Sequence, residues 1–151
     1  MSDQATQTIT IAASPERCYA VVLDFDTYPE WARDVKEVHI VDTDTEGRAS
    51  EVEYRASALG RSTHYTLRYD YSRAPERLSW SLVTGDIMKA CDGAYRFAPS
   101  VSEPGGTDVT YDLSIDLVLP LPGFVKRRAE VRILNTIKEL KARAESESSA
   151  E

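Results

Sequence analysis

The sequence predicts an α+β fold: a curved antiparallel sheet of seven strands wrapped around one long C-terminal helix, with two short helices after the first strand. Three observations carry this expectation. Most of the chain from Thr6 to Leu117 alternates apolar and polar side chains with period two, the mark of half-buried strands. From Val35 on, the strand patterns are joined by short turn sequences, which force antiparallel neighbours. From Pro122 to Ala144 the period becomes helical: Phe124, Val131, Leu134 and Ile137 recur at helical spacing, with Ile133, Leu140 and Ala144 alongside. Lys126, Arg127, Arg128, Arg132, Lys138, Glu139, Lys141 and Arg143 fill the gaps, so one stripe of the helix must lie on an apolar partner. At ~1.5 Å per residue such a helix is roughly 33 Å long, enough to cross a small sheet.

Thr6 to Ala12 alternates and reads as the first strand. Ser14-Pro15-Glu16 then supplies an N-cap and a proline for the first helical turn, ahead of Cys18, Tyr19, Val22 and Leu23 on one face. Tyr28-Pro29-Glu30-Trp31 starts a second short helix that aims two aromatics inward. Alternation resumes over Val35 to Thr43, and Asp44-Thr45-Glu46-Gly47 turns the chain. The next strand, Arg48 to Ala58, places Val52, Tyr54, Ala56 and Ala58 on one face, and Leu59-Gly60 turns into Ser62 to Ser72, with Tyr65, Leu67, Tyr69 and Tyr71 together. Pro75-Glu76 leads to Leu78, Trp80 and Leu82. After the Gly85-Asp86 turn, Ile87 to Ala98 puts Cys91, Gly93, Tyr95 and Phe97 on one parity; Gly93 marks either a bulge or a close approach to the backbone. Asp108 to Leu117 is the cleanest alternation of all, with Val109, Tyr111, Leu113, Ile115 and Leu117 inward.

Size and composition limit the function. A chain of 151 residues makes a single domain, expected over residues 1–145, with residues 146–151 a frayed acidic tail. A net charge of −7 disfavours nucleic acid and anionic lipid surfaces as partners. Cys18 and Cys91 have no CxxC spacing and read as buried small hydrophobes of a reducing compartment. With no apolar run of membrane-spanning length and a polar N-terminus, no stable membrane insertion is expected, and the expected location is cytoplasmic. The protein is expected to be a monomer or homodimer.

The chain resembles the helix-grip superfamily that includes START-like lipid-transfer domains, pollen-allergen-type carriers and aromatic polyketide cyclases (SRPBCC), and within it the bacterial polyketide cyclase/dehydrase and lipid-transport type. The residues that carry the likeness are Ile9-Thr10-Ile11-x-Ala13-x-Pro15, Asp24-x-x-x-Tyr28-Pro29-Glu30-Trp31, Gly93-x-Tyr95-x-Phe97, Gly106-Thr107-x-Val109-Thr110-Tyr111 and the proline-bounded last helix. They are packing signals and identify the fold better than the function.

The resemblance implies a deep cavity between sheet and helix. The residues of inward parity placed on its wall are Tyr54, Tyr65, Leu67, Tyr69, Trp80, Leu82, Tyr95 and Tyr111, with Trp31 from the short helix and Leu134 and Ile137 from the long one. These side chains either pack as a core or line a pocket; the surplus of hydroxyl-tipped rings favours a pocket, since buried hydroxyls need partners. A rigid, empty pocket of about 300 Å³ would cost roughly 7 kcal/mol, comparable with the stability of a domain, so it is either filled or collapsed.

The expected function is to bind and carry, or to sense, a hydrophobic small molecule such as a lipid, isoprenoid or polyketide. The alternative is a polyketide cyclase/dehydrase acting on an aromatic poly-β-ketone intermediate, with Tyr65 and Tyr69 as catalytic donors. Arg68, the arginine nearest those tyrosines, has outward parity and does not suit that alternative. His39 and His64 fall on polar parities, Asp112 and Asp116 on the outer face, and no metal-ligand spacing or dinucleotide motif occurs, so neither metal nor cofactor is expected. The apolar turn Leu117 to Phe124 is either a lid or lip at the cavity mouth or a hydrophobic staple between strand and helix.

Overall fold

In a computed structural model that describes residues 3–58, 61–117 and 128–148, the chain forms the expected helix-grip architecture. Strand β1 (Asp3–Ile11) is followed by α1 (Pro15–Leu23), a single 3₁₀ turn (Phe25–Thr27) and α2 (Tyr28–Trp31). Six strands come next: β2 (Val35–Thr43), β3 (Ala49–Ala58), β4 (Arg61–Asp70), β5 (Arg77–Gly85), β6 (Met88–Pro99) and β7 (Thr107–Leu117). Helix α3 (Arg128–Ser148) closes the fold. The sheet order is β1-β7-β6-β5-β4-β3-β2, antiparallel throughout. Successive strands β2 to β7 are therefore neighbours, while β1 and β2 are opposite edges, and the segment holding α1 and α2 spans the sheet between them.

Local chemistry sets the boundaries. Ser14 Oγ accepts from Arg17 N at 3.1 Å, capping α1 where Pro15 enters the first turn. In the β2–β3 turn, Asp44 Oδ1 accepts from Glu46 N and Arg48 N at 2.9 Å, and Gly47 takes the left-handed backbone (φ 82°). The Leu59-Gly60 turn, and the apolar turn after Leu117 together with the expected helix start at Pro122 to Phe124, lie outside the described residues. Helix α3 continues to Ser148, into the stretch expected to fray. Glu145 is held there by Ala12 N at 2.8 Å and Lys141 Nζ at 2.6 Å, and Ser146 Oγ donates to Arg143 O at 3.0 Å.

Alternation held where ladders are regular and failed at bulges. In β7, Val109, Tyr111, Leu113 and Ile115 are buried and their neighbours are half-buried. Register shifts in the β2–β3 and β4–β5 pairs leave Val41 and Val83 without cross-strand partners, and these two are the exposed large residues of the sheet, at 51% and 42%. Between β5 and β6 the ladder covers four positions, Arg77↔Arg96 to Trp80↔Gly93. Beyond it Leu82 N donates to the side chain of Asp92 (3.4 Å). Gly93 is the close approach that its position in the strand suggested: a Cβ there would lie 2.6 Å from Trp80 Cζ2 and 2.5 Å from Asp112 O.

The core sits on the concave face. Helix α3 lies against β1, β7 and α1, and its residues Ile137, Leu140 and Ala144 are buried with β-sheet residues such as Ile11 and Val109. Polar contacts reinforce that seat, with Lys141 Nζ donating to Thr10 O at 3.0 Å and Arg143 Nη2 to Glu30 Oε1 at 3.2 Å. Among the described residues no helix is long and apolar enough to cross a membrane.

Two outcomes test this packing. Gly93→Ala should destabilise the fold by about 1–3 kcal/mol in urea titrations, because both the indole and the β7 backbone must move. Glu145 has its carboxyl held below the usual 4.5, chiefly by the backbone N–H of Ala12 and then by Lys141. A lowered folded value favours the native state above pH 4.5, and that contribution is lost as pH falls through the folded value. Glu145→Gln should therefore melt earlier than the wild type at neutral pH, with the gap narrowing under acid.

Candidate functional site

Between the concave sheet and the helices lies a cavity of about 70 Å³. Strands β3, β4, β5, β6 and β7 supply Tyr54, Tyr65, Leu67, Tyr69, Trp80, Tyr95 and Tyr111 to its wall, and α2 supplies Trp31. These are the expected wall residues except three. Leu82 is half-buried and packs against the core, but is not among the residues around this cavity. Ile137 is buried, but on the stripe by which α3 joins the core, and is not on the cavity wall. The Leu134 side chain lies outside the described residues.

The wall also holds residues the sequence reading did not place there. Tyr28, Ala32, Asp34 and Val35 come from α2 and the start of β2, Cys91 and Leu113 from β6 and β7, and Thr136 and Glu139 from α3. Cys91 and Leu113 share the inward parity, so their strands already pointed to them. Thr136 and Glu139 had no such signal: the apolar stripe of α3 serves the core, which leaves polar flanking positions to face the cavity. Nor did Asp34, which sits in the short link between α2 and β2.

The rings form one connected system. Tyr54 stacks on Tyr65 (centroids 5.3 Å, 26°) and on Tyr28 (6.1 Å, 27°). Phe25 lies 4.8 Å from Tyr69, Tyr69 lies 6.1 Å from Trp80, and Trp80 meets Tyr95 at 5.4 Å and Tyr111 edge-on at 5.6 Å. Trp80 has room at this junction because Gly93 has no side chain. At ~24 cal/mol per Å³ the remaining void costs roughly 2 kcal/mol, where a rigid pocket of ligand size would cost several times more. Aromatic side chains thus form a large part of the wall of this void.

Several polar groups of the wall have defined partners. Tyr28 Oη donates to Val22 O at 2.5 Å, and the hydroxyls of Tyr54 and Tyr69 hydrogen-bond to each other. Burial pushes all three phenols well above the ordinary value of 10.0, and the neighbouring phenols add to the shift. Tyr28 and Tyr69 keep part of their ring surface exposed, but their hydroxyls are enclosed. Trp31 Nε1 is buried without an acceptor among the described residues. Asp34 and Glu139 are the charged groups of the wall, and Glu139 Oε2 accepts from Arg33 N at 3.2 Å.

Other candidates lie elsewhere. Arg68 is exposed and donates to Glu51 Oε2 at 2.9 Å on the outer face. His39 and His64 are exposed; His64 N donates to Asp86 Oδ2 at 3.0 Å. Asp112 accepts from Thr6 Oγ1 at 2.7 Å on the outer face of the β1–β7 pair. Among the described residues no three His, Cys, Asp or Glu side chains are grouped so as to hold a metal.

Comparison with known proteins agrees with this geometry. The family model described as polyketide cyclase / dehydrase and lipid transport matches residues 2–145. Among solved structures, a START superfamily protein from Mycobacterium smegmatis is 26% identical, with a TM-score of 0.86 over 95% of this chain and 98% of its own. An aromatase/cyclase from Streptomyces sp. R1128 is similar in fold, at 16% identity and a TM-score of 0.79 over 96% of this chain and 94% of its own. No curated protein matches the chain.

The phenols give a direct test. A folded value raised above that of the unfolded chain means that stability is intact below pH 10 and declines as pH rises beyond it, because the unfolded chain ionises first. In an ultraviolet titration, Tyr28, Tyr54 and Tyr69 should stay protonated until alkaline unfolding, so fewer than the eight tyrosines ionise reversibly.

Proposed function

The chain belongs to the polyketide cyclase/dehydrase and lipid-transport family, and we propose that within it the protein is a non-enzymatic carrier or sensor of a hydrophobic small molecule such as a lipid, isoprenoid or polyketide. The observation that carries this reading is the wall itself: a continuous array of aromatic faces, with the hydroxyls of Tyr54 and Tyr69 bonded to each other and that of Tyr28 to backbone. Such a surface gains from burying an apolar guest and offers little to drive a reaction. Phenols whose ionisation is suppressed by burial are weak acids, which suits holding better than proton transfer.

Ligand pockets usually measure roughly 300–1,000 Å³, so a guest enters this one by displacing side chains. The half-buried rings of Tyr28 and Trp31 stand on α2, a single helical turn, and are the wall groups with the least surrounding structure to move. Closure over an absent guest removes most of the cavity penalty, and opening restores it in exchange for contacts with the ligand.

The cyclase/dehydrase alternative rests on the family description, with Tyr65 and Tyr69 as its donors. The pairing of Arg68 with Glu51 outside the cavity supports carriage over cyclisation.

Native mass spectrometry of the protein isolated from its own cells should show a fraction carrying an additional mass that organic solvent releases. Recovery of the bare polypeptide alone, from cells in growth and in stationary phase, would overturn the carrier reading.

A further inference from the structure

We propose that the hydroxyl pair of Tyr54 and Tyr69 is the donor by which this site selects a neutral, carbonyl-bearing ligand over both hydrocarbons and carboxylates. The proposal deepens the carrier reading and rests on it.

The argument begins with a count of hydrogens. Two phenols carry two O–H hydrogens, and the bond between Tyr54 and Tyr69 uses one of them, whichever residue donates. Tyr28 spends its own on Val22 O. Among the described residues no acceptor is found for the second hydrogen of the pair, which lies in the wall of the cavity. A buried donor left unmade is costly, so an oxygen or nitrogen acceptor belongs in that space. Trp31 Nε1, buried and without an acceptor among the described residues, is a second donor in the same wall. Two donors of the wall, the second hydrogen of the pair and Trp31 Nε1, thus lack an acceptor among the described residues, and a guest that supplies one completes them.

Charge decides what kind of acceptor. The ionisable carboxylates of the wall are Asp34 and Glu139, and no lysine or arginine side chain is among its described residues. A ligand carboxylate would meet these two like charges, of which Glu139 is offset by the exposed Arg33 at 3.9 Å, beside a wall of aromatic rings. A carbonyl oxygen accepts the same hydrogen bond with no charge to desolvate. Shape agrees: Tyr54 stacked on Tyr65, with Trp80 beyond Tyr69, presents flat faces to a planar group, so an aryl ketone, enone or quinone fits better than a saturated chain. The pair can also donate from either residue, because reversing the internal bond moves the free hydrogen from one phenol to the other.

The test uses three probes of one size: acetophenone, ethylbenzene and benzoate, titrated into the full chain and followed by NMR. The wild type should bind acetophenone about threefold to tenfold more tightly than ethylbenzene, the range a single net hydrogen bond supplies, and benzoate more weakly than either. The double variant Tyr54→Phe/Tyr69→Phe should bind acetophenone and ethylbenzene equally. Bound acetophenone should show a carbonyl stretch shifted to lower frequency than in hexane, and this measurement on the wild type stands even if the double variant fails to fold. Equal binding of ketone and hydrocarbon to the wild type, a preference that survives the double substitution, or an unshifted stretch would each refute the proposal while leaving the carrier reading intact. Failure of all three probes to bind would count against both.

Discussion

The described part of helix α3 seats on one end of the sheet, and the rest of the structure is arranged around that seat. Its buried stripe of Ile137, Leu140 and Ala144 is committed to the end of the sheet formed by β1 and β7 and to α1. Lys141 and Glu145 fasten it there through the backbone of Thr10 and Ala12. On the concave side of β3, β4 and β5 the described cover is aromatic, the wide side chains of Tyr54, Tyr65, Tyr69 and Trp80. The segment from Phe25 to Trp31 reaches over them, with Phe25 against Tyr69 and Tyr28 against Tyr54.

This division explains why the site is lined so largely by aromatic rings. Aromatic side chains bury much area for little conformational freedom, so a wall made of them is rigid in its parts and still able to repack as a set. Filling the concavity with rings keeps the void near 70 Å³, a size that costs little to maintain. The same rings become the contact surface when something larger takes their place. Stability without a guest and affinity for one thus draw on a single group of residues.

The strands, their order and most of the wall were legible because alternation is a direct projection of the sheet onto the sequence. Tyr65, Leu67 and Tyr69, or Tyr95 with Tyr111, could be assigned to one face by counting. Counting failed where parity is not enough. Leu82 shares the parity of Trp80 and packs against the core, but parity does not say how far along the strand the cavity reaches. On α3 the apolar period identified what is buried, but a helix has several neighbours, and period alone does not say which of them each residue meets. Ile137 was therefore assigned to the cavity and belongs to the core, while Thr136 and Glu139, polar and unremarkable in sequence, stand at its edge. Pairing of the Tyr54 and Tyr69 hydroxyls needs the registers of two adjacent strands, which only the folded chain supplies.

The short ladder between β5 and β6 gives the sheet a seam. Four paired positions hold the two strands together beside Trp80 and Gly93, and past them the strands separate around Asp92. A sheet that is continuous everywhere resists bending as one plate, whereas one with a partial slit can splay along it while its longer ladders stay intact. The seam runs behind Trp80 and Cys91, both on the inner wall. The half of the sheet formed by β5, β4, β3 and β2 is thus joined to the half formed by β6, β7 and β1 by fewer paired positions than hold any other two neighbouring strands.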